Sequence, residues 1–245
     1  MPNSPTQLFL GKLPAIRPHQ LSYIDAYSLG RPPQPPAAVP DPKVADWGML
    51  GNDVCGNCTI AGAAHLMMAT EADLPYVGEP TFNTAQVEQQ YWEITGGVDT
   101  GCVEADVLRL WRTRGLFGGH KIAAFAPVEA NNILAVHRAI AFYGTAYIGV
   151  QLPESAQAQF RAGEPWTVMD DSPILGGHCI VPVSYDPQFI YCVTWGRLVS
   201  VSWAWWATYV DEVWCVIPEA IEKVGHGPTD LNLAELAEDL DRLAA

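Results

Sequence analysis

Positive charge is what this chain has least of. Thirteen Lys and Arg stand against 27 Asp and Glu in 245 residues, a formal net charge of −14. Nucleic-acid phosphates and anionic membrane surfaces are repelled by such a balance, which excludes them as expected partners. Charged residues of both signs make up only 16% of the chain while 49% is hydrophobic, a composition of folded domains rather than of disorder. Long apolar runs are also missing. The stretches around 139–153 and 198–210 are broken by glycine and polar residues and fall short of a membrane span. The first residues, MPNSPTQLFLGKLP, have no basic segment followed by an apolar run, so no secretory signal is read there and a cytoplasmic setting is expected. Six cysteines are too few for a disulfide scaffold at this length and fit buried, reduced thiols.

What is present falls into three parts. Residues 1–45 are rich in proline (RPPQPPAAVPDP from Arg31) and show neither helical nor strand periodicity, so they read as an extended arm pinned to the body or to a partner. Residues 46–218 form the main domain. Its first half is helical in pattern: a helix from Asn57, expected to be capped by that side chain, with a stripe of Ile60, Ala61, Ala64, Met67 and Met68; a second from Asn83 or Thr84; a third over VEADVLRLWRTRG; and a fourth over about 131–143. Its second half carries short β-rich runs, 146–152, 178–185, 188–195 and 212–217. Helices followed by strands imply an α+β fold with a helical lobe facing a sheet lobe. Residues 219–245 end in a leucine-striped helix (Leu233, Leu236, Leu240, Leu243), expected to pack on the same chain or, failing that, on an assembly partner.

Chemistry concentrates at two segments. Cys58 falls in the first turn of the Asn57 helix, where unpaired N–H groups and the positive helix end favour thiolate over thiol. Around it, VADWGMLGNDVCGNCTIAGA resembles the region of papain-like cysteine peptidases in which an Asp-Trp pair, a glycine turn and Cys-Gly-x-Cys open the central helix: here Asp46, Trp47, Gly51, Cys55, Gly56 and Cys58. The segment GGHCIVPVSYD, with His178 entering an apolar strand, and the segment YCVTWG, with Thr194, Trp195 and Gly196, continue the resemblance in order and spacing. It implies the papain-like two-lobe fold, a nucleophilic Cys58, His178 as its base, and Asn52 in place of the oxyanion-binding glutamine six residues before the nucleophile. Trp195 would shield the histidine. The family's imidazole-orienting asparagine position is Val193, so that role is vacant unless Thr194 or an acid fills it. The resemblance also implies a disulfide between Cys55 and Cys102, which a reducing setting would leave as thiols.

His65, His120 and His137, with His19 and His226, read as structural. A metal site is disfavoured because the lone Cys55–Cys58 pair lacks two further ligands at usual spacing, and no cofactor is expected. The aromatic run SWAWWATY (202–209) reads as packing. The arm lacks the long helical pattern of an inhibitory propeptide, yet could cross the cleft. The function implied is a thiol hydrolase acting on a peptide or other amide. Two rivals stand beside it: a binding or assembly protein on the same fold, engaging a partner through the arm or the C-terminal helix, as in a virus particle; and a transglutaminase-like acyltransferase, which differs only in what resolves the acyl-enzyme.

Overall fold

A computed structural model describes residues 7–16, 21–72, 81–143, 145–223 and 230–244. Eight helices and six strands are found among them: α1 (Cys58–Glu71), α2 (Thr84–Thr95), α3 (Glu104–Thr113), β1 (Ile122–Pro127), α4 (Ile133–Phe142), β2 (Thr145–Pro153), α5 (Glu154–Ala162), β3 (Ile174–Tyr185), β4 (Phe189–Thr194), β5 (Arg197–Ser202), α6 (Trp203–Tyr209), β6 (Val210–Pro218), α7 (Glu219–Lys223) and α8 (Leu233–Ala244). The strands form one antiparallel sheet in the order β1-β6-β2-β3-β4-β5. The architecture is the expected α+β, papain-like one, with helices α1 and α3 packed on the sheet and α2 packed on α1.

Helix α1 is more deeply placed than a one-faced stripe implies. Gly62, Ala63 and Leu66 are buried along with Ile60, Ala61, Ala64, Met67 and Met68. A helix apolar on all sides belongs inside a core, and this one lies between β2/β3 and the other helices. Gly62 allows the approach: a Cβ there would come within 2.9 Å of the Cys179 sulfur on β3 and 3.2 Å of the Tyr147 ring on β2. The Tyr147 hydroxyl donates to the carbonyl of Thr59, tying the first turn of α1 to β2 at 2.6 Å. Asn57 precedes the helix but does not cap it. Its side-chain amide donates instead to the Leu50 carbonyl (2.8 Å), bracing the loop that carries Asn52.

Strand β3 is the spine of the sheet: its first half pairs with β2 (Val150 opposite His178, Gly149 opposite Cys179) and its second with β4. The β4–β5 hairpin turns on Trp195 and Gly196, both with positive φ (44° and 78°), between the paired Thr194 and Arg197. Two successive positive-φ residues match the primed turn that strand twist favours, and this turn carries Trp195 towards β3. The SWAWWATY run holds a short helix, α6, capped by the Ser202 hydroxyl (3.2 Å), with Trp205 and Trp206 buried.

The N-terminal segment lies on its own body. Val39 bridges Tyr185, the Tyr185 hydroxyl donates to the Pro36 carbonyl (2.9 Å), and the Arg138 guanidinium donates to the Pro33 carbonyl (2.9 Å). Helix α8 packs on β1 and on a 3-10 turn at Ile24–Tyr27, with Leu236 and Leu240 buried and the Tyr27 hydroxyl donating to Asp239 (2.8 Å). No helix among the described residues is long and apolar enough to cross a membrane. His19 and His226 lie outside the described residues.

Candidate active site

Cys58 opens α1 and His178 stands on β3, in the cleft where helices meet sheet. The backbone amides of Cys179, the residue after His178, and of Gly11 in the N-terminal segment act on the Cys58 thiol. His178 is fully buried. Its Nε2 shares a 2.7 Å hydrogen bond with the Thr194 hydroxyl. Its ring stacks on Trp195, centroids 4.3 Å apart and planes 20° from parallel. Its Nδ1 has no hydrogen-bond partner among the described residues. The imidazole is thus held at one nitrogen and one face.

The position implied for an orienting asparagine is filled by Val193, buried in the core opposite Val181. Thr194, one residue on and on the other face of β4, reaches the imidazole instead. Strand alternation explains this shift, because adjacent side chains point to opposite faces. The sequence already contained the substitute. Trp195 is fixed in turn by edge contacts with Phe160 and Trp166.

Asn52 is buried in a loop whose preceding residues, Leu50 and Gly51, have positive φ. Its side-chain amide is oriented inward and donates to the carbonyls of Cys55 and Phe9, both at 3.3 Å. The Phe9 carbonyl also receives the Trp195 indole N–H at 3.2 Å. An amide donor and an indole donor therefore converge on one carbonyl oxygen in the cleft.

That carbonyl belongs to the molecule itself. Residues 8–13 run through the cleft between the lobes, and backbone pairing holds them on both walls. Phe9 N donates to Asn52 O (3.1 Å), Cys102 N to Gly11 O (2.8 Å), Lys12 N to Gly177 O (3.2 Å) and Leu13 N to Cys102 O (2.9 Å). Glycines line the slot: a Cβ on Gly11 would fall 1.6 Å from Gly56 O, one on Gly101 2.2 Å from Gly11 O, and one on Gly177 2.3 Å from Lys12 O. The side chain of Lys12 is wholly buried, its ammonium 2.9 Å from Asp211 Oδ1 and 3.0 Å from Glu212 Oε1. The arm that sequence left free to cross the cleft does cross it.

The consequence is electrostatic. Burial pushes the Cys58 thiol up to about 12, outweighing the backbone hydrogen bonds from Cys179 and Gly11 that pull it down. Burial alone pushes His178 down to about 3. The helix start was expected to favour thiolate at Cys58. In the closed cleft it does not, because a helix terminus supplies up to ~2 kcal/mol, about 1.5 pKa units, whereas full burial shifts a group by as much as ~3–5 units. The closed form therefore holds a neutral thiol at Cys58 and a neutral imidazole at His178.

The other groups separate cleanly. All six cysteines are free, buried thiols, so the Cys55–Cys102 disulfide implied by the resemblance is not formed. His65 is occupied by the carbonyls of Trp47 and Gly48, both at 3.0 Å, and packs edge-on against Trp47. His137 stacks on Tyr185 at 3.8 Å. His120 packs near Phe82. Sequence reading missed the acidic trio Glu104, Asp211 and Glu212. The charge that unites them, Lys12, lies on the arm, about 90 or more positions away in sequence.

This architecture is that of the papain-like cysteine proteases. Among solved structures it is similar to xylellain, a cysteine protease from Xylella fastidiosa, with a TM-score of 0.64 and 14% identity over 86% of this chain and 97% of that one. It is also similar to the cysteine protease and lectin-like domains of Cwp84, a surface layer associated protein of Clostridium difficile, with a TM-score of 0.57 and 12% identity over 88% of this chain and 57% of that one. No protein-family model matches the chain, and no curated protein matches its sequence significantly.

Proposed function

We propose that this protein is a papain-like cysteine hydrolase that cleaves an amide bond, most simply a peptide bond, with Cys58 as nucleophile and His178 as the proton-transferring partner. The observation that carries the reading is the state of His178: clamped by Thr194 at Nε2, stacked on Trp195, and free at Nδ1, on the strand whose next residue contacts the Cys58 thiol. In the reaction, the Cys58 sulfur attacks the carbonyl carbon while its proton passes to His178, and the carbonyl electron pair moves onto oxygen. The Asn52 amide, together with the backbone N–H of Cys58, stabilises that oxyanion. Collapse expels the amine, which takes the proton from His178, and water activated by the same imidazole releases the acid and regenerates the thiol. An amine in place of water would make the same dyad an acyltransferase.

Substrate reaches Cys58 only after residues 8–13 leave the cleft. Release of the arm re-hydrates both groups, lowering the thiol pKa and raising that of the imidazole towards the range in which an ion pair forms. A closed cleft with a deeply seated arm is also the observation that favours the second reading, a binding or assembly protein on this fold whose thiol is never used. The test is hydrolysis of an unlabelled protein such as casein by the full chain and by its Cys58→Ala and His178→Ala variants, with new amino termini read by mass spectrometry. New termini lost in both variants support the hydrolase; none under any condition, including those that displace the arm, support the second reading.

A further inference from the structure

Lys12 fills a pocket built for a cation. Its ammonium contacts both oxygens of Asp211 (2.9 and 3.0 Å) and Glu212 Oε1 (3.0 Å). Glu212 is itself held by the Trp214 indole N–H at 2.9 Å, and Asp211 by the Gln151 side-chain amide at 2.5 Å. Behind them, Glu104 at the start of α3 is fully buried. Neither of its oxygens makes a well-formed hydrogen bond, the Cys179 thiol being the polar neighbour beside them, and it feels Glu212 and Lys12 electrostatically. Space for the aliphatic stem comes from Gly149 on β2, where a Cβ would lie 2.0 Å from Lys12 Cε and 2.8 Å from Cδ. Any larger residue at position 149 would close the pocket.

The position of the pocket matters as much as its charge. The residue before Lys12 directs its amide at the Cys58 sulfur, and the Lys12 amide pairs with the carbonyl of Gly177, the residue before His178. The pocket therefore receives the side chain of a residue one position from the atom that faces the nucleophile. Two carboxylates and a buried third acid around one ammonium leave an uncompensated negative site once the arm withdraws, and an empty acidic pocket of that shape favours the next lysine-like side chain over an uncharged one.

We infer that the Asp211–Glu212–Glu104 pocket, floored by Gly149, is a specificity site of this cleft, that it selects a substrate carrying a lysine side chain close to the bond attacked, and that Lys12 is its intramolecular occupant. The inference rests on Cys58 being the nucleophile, and its test separates the two. The full chain carrying Lys12→Ala is treated with acetyl-Gly-X-Gly chloromethyl ketones in which X is lysine, norleucine or glutamate, and the rate of Cys58 modification is read by peptide mass spectrometry. Norleucine keeps the stem and removes the charge. The lysine probe is expected to react about 30-fold or more faster than norleucine, with glutamate slowest. That preference is expected to vanish when Asp211→Asn and Glu212→Gln are added, and the lysine rate to fall when Gly149→Ala is added. Lys12→Met, which keeps the stem's volume, serves if Lys12→Ala melts at an altered temperature. Equal rates for the three probes, with rapid iodoacetamide labelling of Cys58 that His178→Ala abolishes, would overturn the pocket and leave the nucleophile standing. Slow, His178-independent iodoacetamide labelling would overturn both.

Discussion

Replacing Gly11 by alanine is expected to open the cleft. The new methyl carbon would fall 1.6 Å from Gly56 O, 2.3 Å from its carbonyl carbon and 2.7 Å from its Cα, all backbone atoms that cannot rotate aside. Relief needs a displacement of about 2 Å to reach ordinary van der Waals separation, more than the bonds on either side can follow. Three of them flank the site directly: Cys102 N to Gly11 O, Lys12 N to Gly177 O and Leu13 N to Cys102 O. At about 1 kcal/mol net each, their loss removes about 3 kcal/mol from closure, which raises the open population about 100-fold. The assay is the rate of iodoacetamide labelling at Cys58, read by peptide mass spectrometry, with the thermal midpoint as a check that the body stays folded. A labelling rate within about threefold of the unaltered chain, at an unchanged midpoint, would refute the closure.

Thr194→Val keeps the shape and deletes the hydrogen bond to His178 Nε2; Cys58 reactivity in the opened chain is expected to fall by at least about 10-fold, and Thr194→Ser to restore it, as read by the same labelling. In the opened Gly11→Ala chain, Asn52→Ala is expected to lower turnover of a cleavable peptide about 10²-fold while leaving iodoacetamide labelling unchanged, since alkylation forms no oxyanion. Closure should be tightest over the pH range in which the open Cys58–His178 pair holds one proton, as the closed pair does. Below that range the open form takes up a second proton, which the closed form, with His178 depressed to about 3, refuses, so closure weakens in acid. Above it the open form loses its remaining proton, which the closed form, with Cys58 raised to about 12, keeps, so closure weakens in alkali. Hydrogen exchange of the Gly11 and Lys12 amides across pH 5 to 10, corrected for intrinsic rates, reads this; protection that is flat or minimal near pH 7.5 would contradict it.

Much of the architecture could be read from local pattern. Helices α1 to α4 and strands β2, β3, β4 and β6 coincide with the periodic runs that predicted them. Strand β1 was missed because IAAFAP, rich in alanine, has little β propensity and is made a strand by pairing with β6. Helix α6 was hidden because seven residues dominated by aromatics carry no helical stripe. At the site, His178 meets Thr194 and Trp195, and Asn52 and Trp195 share the Phe9 carbonyl, on elements the sequence placed, but the charge state of Cys58 and His178 was not legible. It is set by the arm, and the contacts of residues 8–13 with Gly56, Cys102 and Gly177 join segments from about 45 to 165 positions apart. One trace was present: Gly56, Gly101, Gly149 and Gly177 stand where backbone or stem must pass closely, which only the closed cleft explains.

The most direct test of a thiol and imidazole acting together is the pH profile of Cys58 alkylation in the opened Gly11→Ala chain, with and without His178→Ala. Rapid labelling that persists well below pH 8 and collapses in the double variant is the predicted result. Labelling that tracks an ordinary thiol, rising only towards pH 9 and indifferent to His178, would contradict it.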